Sequence, residues 1–364
     1  MDFSFSSDQE SLRELAHKVI GDAAEVERVK RVLATDQAVD TELWATMAES
    51  GLVGIGLPES VGGAGLGFLE VCIVLEEVGR AAVPVPAFAV RGLGGLALAE
   101  FGATDALEGV ADGSRIVTAA LHEPHGDPFA PATRWSEADG TLTGEKICVP
   151  AGLGAARVVV SADAGLFVVD ASSPGVTVER ADTTSGVPEA RVVLDGAPAT
   201  ELAGPEGLTW LLEHAQAAAA CMVAGACATA LELTSEYTKS REQFGRPIAS
   251  FQAVSQRAAD AYIDTEAVRL TAWQAAWRLD RGLPAAEQVA IAKFWASEGA
   301  QRVVHAAHHL HGGVGVDRDY PLHRYFLLVK QAELALGSAT PSLQRLGRML
   351  AASSPSGHAA GPVA

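Results

Sequence analysis

"SREQFGRPIASFQAVSQRAAD", residues 240–260, is the stretch on which the fold turns. Arg241 and Phe244 close one long helical pattern, Gly245 and Pro247 break it, and Phe251 with Gln252 opens the next. Taken by itself this is a helix hairpin with a Gly-x-Pro turn, and Arg241 suits the carboxyl end of the first helix. What the hairpin belongs to depends on the chain on either side.

Beyond it, apolar residues recur three and four apart. They predict helices over roughly 206–242, 252–280, 285–311, 319–335 and 342–351, separated by short Gly/Pro breaks as in an antiparallel bundle. Before it, from about 116 to 205, the period changes. "RIVTAAL", "GLFVVDA", "VTVER" and "ARVVLDG" are Val-rich runs bounded by Gly, Pro, Asp and Ser, the pattern of strands joined by turns. The first 115 or so residues are helical again, with "LRELAHKVI" behind a capping-box spacing of Ser7 and Glu10, then "ELWATMAES" and "FLEVCIVLEEVGR". Between the last two lies "GLPESVGGAGLG", whose glycines suit a tight turn. The expected fold class is therefore α+β and mostly α: a helical domain over 1–115, a β domain over 116–205 and a helix bundle over 206–351. The last residues, 352–364, are a small-residue tail with too little apolar surface to order itself.

Composition excludes several functions. The net charge of −18 argues against nucleic acid, which needs clustered Lys and Arg. Cys72, Cys148, Cys221 and Cys227 show no CxxC spacing and sit among apolar residues, so they read as buried, reduced thiols of a cytoplasmic protein. "MDFSFSSDQE" has neither the basic nor the apolar region of a signal peptide. The Ala-rich run at 217–231 falls short of the ~20 residues of a membrane span and reads as a buried helix. His305, His308 and His309 have a helical spacing that suits a metal but no acidic or cysteine partner, and the one Glu-x-x-His motif, Glu14 to His17, is unpaired. No metal site is expected.

The hairpin string, with its spacing, resembles the helix-turn signature of the acyl-CoA dehydrogenases, flavoproteins that desaturate acyl-CoA thioesters. "HHLHGGVGVDRDYPLHRYF" resembles the family's later glycine segment, and "GLPESVGGAGLG" an N-terminal one, so the resemblance spans all three zones. It implies the acyl-CoA dehydrogenase fold and FAD as cofactor. It also implies that Arg241, Gln243, Phe244 and Gln252 contact the FAD of a neighbouring subunit, joined by His309 (where a Gln is usual), Gly312 and Gly313. The residue types suit that role, because a guanidinium pairs with phosphate oxygens and an aromatic face stacks on adenine.

Family members remove the substrate's α-proton with a carboxylate, usually a Glu after the last long helix. In "AELALGSATPS", residues 332–342, that position falls on Leu336 counting from Tyr320-Pro321, or on Ser338 counting back from "LQRL". Neither can act as the base. The family's alternative position falls on Ala215, with Gln216 where an Arg is usual. The nearest carboxylate, Glu213, lies about half a helical turn away and points elsewhere. The β domain departs too. His122-Glu123-Pro124 and Gly126-Asp127-Pro128 stand in place of the Thr-Glu-Pro and Gly-Ser-Asp loop, and "KICVPAG" in place of the Trp-Ile-Thr/Ser strand that grips the flavin ring.

Contacts toward a partner's FAD are kept while the base and ring contacts are lost. Within the family the chain is most similar to the β subunits of actinobacterial heterotetrameric (α2β2) sterol side-chain acyl-CoA dehydrogenases. That resemblance implies a catalytic α-type partner supplying the Glu, a 3-oxocholest-4-en-26-oyl-CoA-type substrate or a shorter-chain steroid thioester held mainly by the partner, and an electron-transfer flavoprotein or similar acceptor. It implies that this chain completes the FAD site and builds the tetramer through its Ala-rich helix. Two other readings stay open: a self-sufficient homotetrameric enzyme with a displaced base such as Glu213, and a flavin-free scaffold.

Overall fold

Small residues let the two central helices of the protein touch, and the rest packs around that contact. In this computed structural model residues 4–353 are described. The chain opens with α1 (Ser7–Gly21), α2 (Val26–Leu33), α3 (Thr41–Glu49), α4 (Phe68–Ala81) and the short α5 (Gly95–Glu100). The cap of α1 differs from the expected one. Ser6 Oγ accepts from the Gln9 N–H and the Ser6 N–H donates to Gln9 Oε1, the same three-residue spacing one position earlier. Glu10 is thereby left to pair with Arg13.

The β domain holds two four-stranded sheets. Its strands are β1 (Ile116–Ala120), β2 (Arg134–Ser136), β3 (Thr141–Pro150), β4 (Ala155–Ala162), β5 (Gly165–Asp170), β6 (Val176–Ala181), β7 (Glu189–Pro198) and β8 (Thr200–Ala203). One sheet runs β1-β4-β5-β8, with β1 and β4 parallel, and the other β2-β3-β7-β6, all antiparallel. Phe167, the alternating valines Val158 and Val160 of β4 and the alternating Ala190, Val192 and Leu194 of β7 fill the space between the sheets. Between Lys146 and Val149 the β3–β7 register shifts. This bulge places Cys148 in the left-handed region, φ 52°, and turns it outward. The expectation of four buried thiols is thus corrected: Cys72, Cys221 and Cys227 are buried and Cys148 is exposed.

The bundle contains α6 (Pro205–Ser240), the hairpin strands β9 (Glu242–Gln243) and β10 (Arg246–Pro247), α7 (Gln252–Asp280), α8 (Ala286–Phe294), α9 (Ala300–His311), α10 (Leu322–Leu334) and α11 (Ala339–Ser353). A π-helical turn, Trp295–Gly299, joins α8 to α9 into one rod. Pro205 starts α6, where its missing N–H costs nothing.

Helix α4 is apolar almost all round and accordingly buried. It lies so close to α6 that a Cβ on Gly79 would sit 1.8 Å from the Met222 carbonyl oxygen, and one on Gly225 2.0 Å from that of Glu76. By length and composition α6 could cross a membrane, but two thirds of its apolar window is buried inside the protein. This corrects one expectation. The Ala-rich run serves the contact with α4 and offers no face for building a tetramer. Residues 352 and 353, expected in the tail, end α11, and the rest of that tail lies outside the described residues.

Candidate functional site

Arg241, the first residue past α6, turns extended, and its guanidinium has no hydrogen-bond or ion-pair partner among the described residues. Gln243 sits in the two-residue strand β9 and donates only to the neighbouring Glu242 carbonyl, 2.7 Å away. Phe244 is 94% exposed and holds φ 55°, a conformation that Gly245, at φ 76°, continues. The hairpin is steadied from below, where Phe251 meets Phe244 edge-on at 6.1 Å and lies under Arg246 at 4.2 Å. Gln252, the first residue of α7, is exposed.

At the end of α9, His309, Gly312 and Gly313 are exposed as well. Gly312 has φ 61° and ψ −136°, open essentially to glycine alone, and nothing stands within 4 Å of where a Cβ would be on either glycine. The two segments are joined by residues that sequence reasoning passed over. Tyr237, one turn before Arg241, stacks on His311 at 4.4 Å, and His311 Nε2 bonds Tyr320 Oη at 3.0 Å. The signal was present, since Tyr237 lies four residues before Arg241 and His311 directly before Gly312. His305 and His308 pack against Phe326, and no three His, Cys, Asp or Glu side chains converge among the described residues.

A second locus lies between the domains. Helix α10 ends at Leu334, and Leu336 takes φ 57°, a left-handed turn rare for a branched residue. Both of its backbone groups are bound from far along the chain. Its N–H donates to His122 Nε2 at 2.8 Å, and its carbonyl accepts from Gln216 Nε2 at 2.8 Å. The two base positions left open by the sequence therefore lie side by side, because the buried Ala215 directly precedes Gln216. Ser338 starts the turn into α11, where its carbonyl accepts from Ser342 Oγ. Glu213 faces away and accepts from Arg345 Nη2 at 2.9 Å. Burial raises its pKa, and Arg345, stacked on Phe129, opposes that rise.

Leu336 closes one end of a cleft of about 1050 Å³ between the N-terminal helices, the β domain, α6 and α10. His122 is held neutral there, its pKa lowered to about 4 by burial and by Lys293 and Lys146. Next to it, Glu123 accepts from Lys146 Nζ and Thr133 Oγ1, both at 2.6 Å. Burial disfavours its charge, but these bonds outweigh burial and bring its pKa to about 2. Sequence reasoning passed over the carboxylate of this cleft that is held between domains. Glu189, at the start of β7 opposite Pro150, accepts from Gln331 Nε2 of α10 at 2.5 Å and touches the Cys148 thiol; burial raises its pKa.

Residues 6–108 match the family description "Acyl-CoA dehydrogenase, N-terminal domain", and residues 203–350 match "Acyl-CoA dehydrogenase, C-terminal domain". The chain belongs to the acyl-CoA dehydrogenase family. Its members are FAD-binding oxidoreductases that act on CH–CH bonds. Acyl-CoA dehydrogenase FadE27 of Mycobacterium tuberculosis is 38% identical over 96% of this chain and 99% of its own length; FadE28 of the same organism is 36% identical over 84% and 91%. Among solved structures, a variant of the Tcur3481-Tcur3483 steroid ACAD is 44% identical with a TM-score of 0.90, covering 95% of this chain and 99% of its own. The ChsE4-ChsE5 complex from Mycobacterium tuberculosis is 37% identical with a TM-score of 0.91, covering 98% and 100%.

The two loci of this acyl-CoA dehydrogenase relate differently to FAD. The hairpin and the 309–313 segment offer an unpaired guanidinium, an exposed aromatic ring and open glycine backbone, which suit a nucleotide diphosphate. The cleft offers a flavin ring few free donors: His122 is bonded to the Leu336 N–H, Gln331 to Glu189, and Pro150 has neither N–H nor hydroxyl to offer.

Proposed function

We propose that this chain is the β-type subunit of a heteromeric FAD-dependent acyl-CoA dehydrogenase that α,β-desaturates steroid side-chain CoA thioesters. The observation that carries this reading is Leu336. At a position that the family resemblance assigns to the base, an apolar residue is buried with both backbone groups bound, and the cleft beside it offers a flavin ring few free donors. The heteromeric steroid relatives, alike over nearly the whole chain, support the substrate class and the partnership.

In this reading Arg241 pairs with the diphosphate of FAD held by a catalytic α-type subunit, Phe244 stacks on its adenine, and Gln243 and Gln252 bond its edges. His309, Gly312 and Gly313 bring the end of α9 against the same diphosphate. FAD bound there supplies the hydride acceptor for the desaturation. The partner contributes the Glu base and most of the acyl-CoA pocket, the assembly is α2β2 and cytoplasmic, and an electron-transfer flavoprotein or similar acceptor serves it.

Expression alone and with the α-type partner tests the reading. Colourless, inactive protein that gains flavin and dye-linked turnover only on co-expression is expected, with about half a flavin per chain. Yellow, active protein from this chain alone overturns it. Within the complex, Arg241→Ala should weaken FAD retention roughly ten- to a hundredfold, the worth of a charge-assisted bond of about 1.5–3 kcal/mol. Unchanged retention would refute the contact across the interface.

A further inference from the structure

The hairpin after α6 and the glycine segment after α9 meet through a stack of rings. Tyr237 stands in the last turn of α6 and serves both directions. Its carbonyl accepts from the Arg241 N–H at 2.8 Å, where the chain leaves the helix, and its ring lies on His311 at 4.4 Å and 22°. The Tyr237 hydroxyl has no hydrogen bond among the described residues, so its aromatic face is what the side chain contributes. His311 is the last residue of α9, buried, and Gly312 follows it directly.

Hydrogen bonds fix the His311 ring. Nδ1 faces the Ala307 carbonyl at 2.8 Å, which can only accept, so Nδ1 carries the proton. Nε2 is then a bare acceptor, and Tyr320 donates its hydroxyl proton to it at 3.0 Å. Burial lowers the pKa of His311 and favours this neutral ring, the Ala307 bond opposing. With both nitrogens used in a buried place, the ring cannot turn without abandoning two bonds. Tyr320 closes the far side. It meets Tyr237 edge-on at 6.4 Å, and its N–H donates to the Asp317 carbonyl at the end of the glycine turn. Gly315 lets that turn fold back on α9, since a Cβ there would stand 3.3 Å from His308 Cα and His311 Cβ.

We infer that Tyr237, His311 and Tyr320 are positioning residues for FAD: their stack makes the hairpin and the glycine segment one rigid clamp, so that Arg241 and the open backbone at Gly312 and Gly313 reach the same diphosphate together. The identity of the ligand rests on the proposed function; the coupling of the two segments rests on the stack. Without the stack, FAD itself would have to order each segment, at a cost in affinity.

FAD release on dilution of the co-purified complex, followed by flavin fluorescence, tests this. Tyr237→Leu removes the aromatic face and should weaken retention roughly three- to tenfold, the worth of an aromatic pair. Tyr237→Phe keeps the face and should stay within about twofold of wild type. Added FAD should restore full turnover to Tyr237→Leu with an unchanged KM for the thioester, which damage to the acyl site or to general packing would not allow. In the Tyr237→Leu background, Arg241→Ala should cost at least about threefold less than in wild type, because a guanidinium no longer held in place has less to lose. Undiminished retention in Tyr237→Leu, equal loss in Tyr237→Phe, or additive losses in the double variant each overturns the clamp. Should Tyr237→Leu fail to assemble, Tyr320→Phe carries the test: it leaves His311 Nε2 without a donor and should weaken retention about threefold or more, and unchanged retention overturns the clamp. Arg241→Ala separates the two claims. If it leaves retention unchanged, the contact across the interface fails and the clamp with it; if it lowers retention while Tyr237→Leu does not, the clamp alone fails.

Discussion

Lys293 allows a test whose sign and size both follow from its surroundings. Its side chain is 1% exposed, and its ammonium donates only to neutral oxygens: the Ala332 carbonyl at 2.7 Å, the Glu333 carbonyl at 3.2 Å and Ser297 Oγ at 3.2 Å. It thereby holds the last turn of α10 just before the bend at Leu336. Burial lowers its pKa from the ordinary 10.5 to about 7, the charge of Glu333 offsetting only part of the effect. Between those values the unfolded chain keeps a proton that the folded chain has released. The contribution to stability is therefore complete above 10.5, falls as the pH drops toward 7, and is constant below that. The limiting slope is about 1.4 kcal/mol per pH unit, so raising the pH by about two units inside the window stabilises the fold by roughly 2–3 kcal/mol. Lys293→Met fills similar space and has no proton to release. Urea unfolding followed by tryptophan fluorescence at both ends of the window should show wild type gaining that amount over the variant, with equal slopes against urea. At the alkaline end the variant should also lose about 1–3 kcal/mol through its two abandoned carbonyls. Parallel pH dependence in the two proteins would refute the argument.

Three further outcomes follow from other parts of the protein. Gly225→Ala puts a Cβ 2.0 Å from the Glu76 carbonyl and forces α4 and α6 apart; overpacking of about 1–3 kcal/mol should lower the melting temperature by roughly 2–10 °C, and an unshifted melt counts against the close contact. Glu123→Gln leaves Lys146, fully buried, without its counter-ion at a cost of about 3–5 kcal/mol. Because Glu123 titrates near 2 in the fold against the usual 4.5, wild type should also lose stability as the pH falls through that interval while the variant does not, which acid thermal melts can compare. Leu336→Glu puts a carboxylate at a position that the family resemblance assigns to the base; on the proposed reading this cleft holds no hydride acceptor, so the chain alone should stay colourless and inactive, and flavin binding with dye-linked turnover by that variant would show the cleft to be flavin-competent.

What was legible in the sequence is what depends on near neighbours. Helix periodicity and Gly/Pro punctuation located α6, the hairpin and α7 to within two residues, because each is decided within a few turns of chain. The cap of α1 slipped by one position because Ser6–Gln9 and Ser7–Glu10 have the same spacing, and only the entering backbone chooses between them. The Ala-rich run was read correctly as buried. Its partner was misassigned because small residues announce close approach without naming the helix approached, which is α4.

The cleft was the least legible part, for the same reason at longer range. Counting along a motif points to Leu336 or Ser338 as the position of the missing base, yet the groups that fix Leu336 lie 120 and 214 residues away, and Glu189 meets Gln331 across 142. No local pattern marks Glu189. Its neighbours in sequence read simply as an edge of a Val-rich strand, and the bulge that turns Cys148 toward it shows only in the β3–β7 register. Which side chain stands at a motif position is thus a local fact, whereas the character of the space around it is a property of the whole fold. A helical projection correctly turned Glu213 away from the cleft but could not nominate Glu189, which reaches it from a different domain.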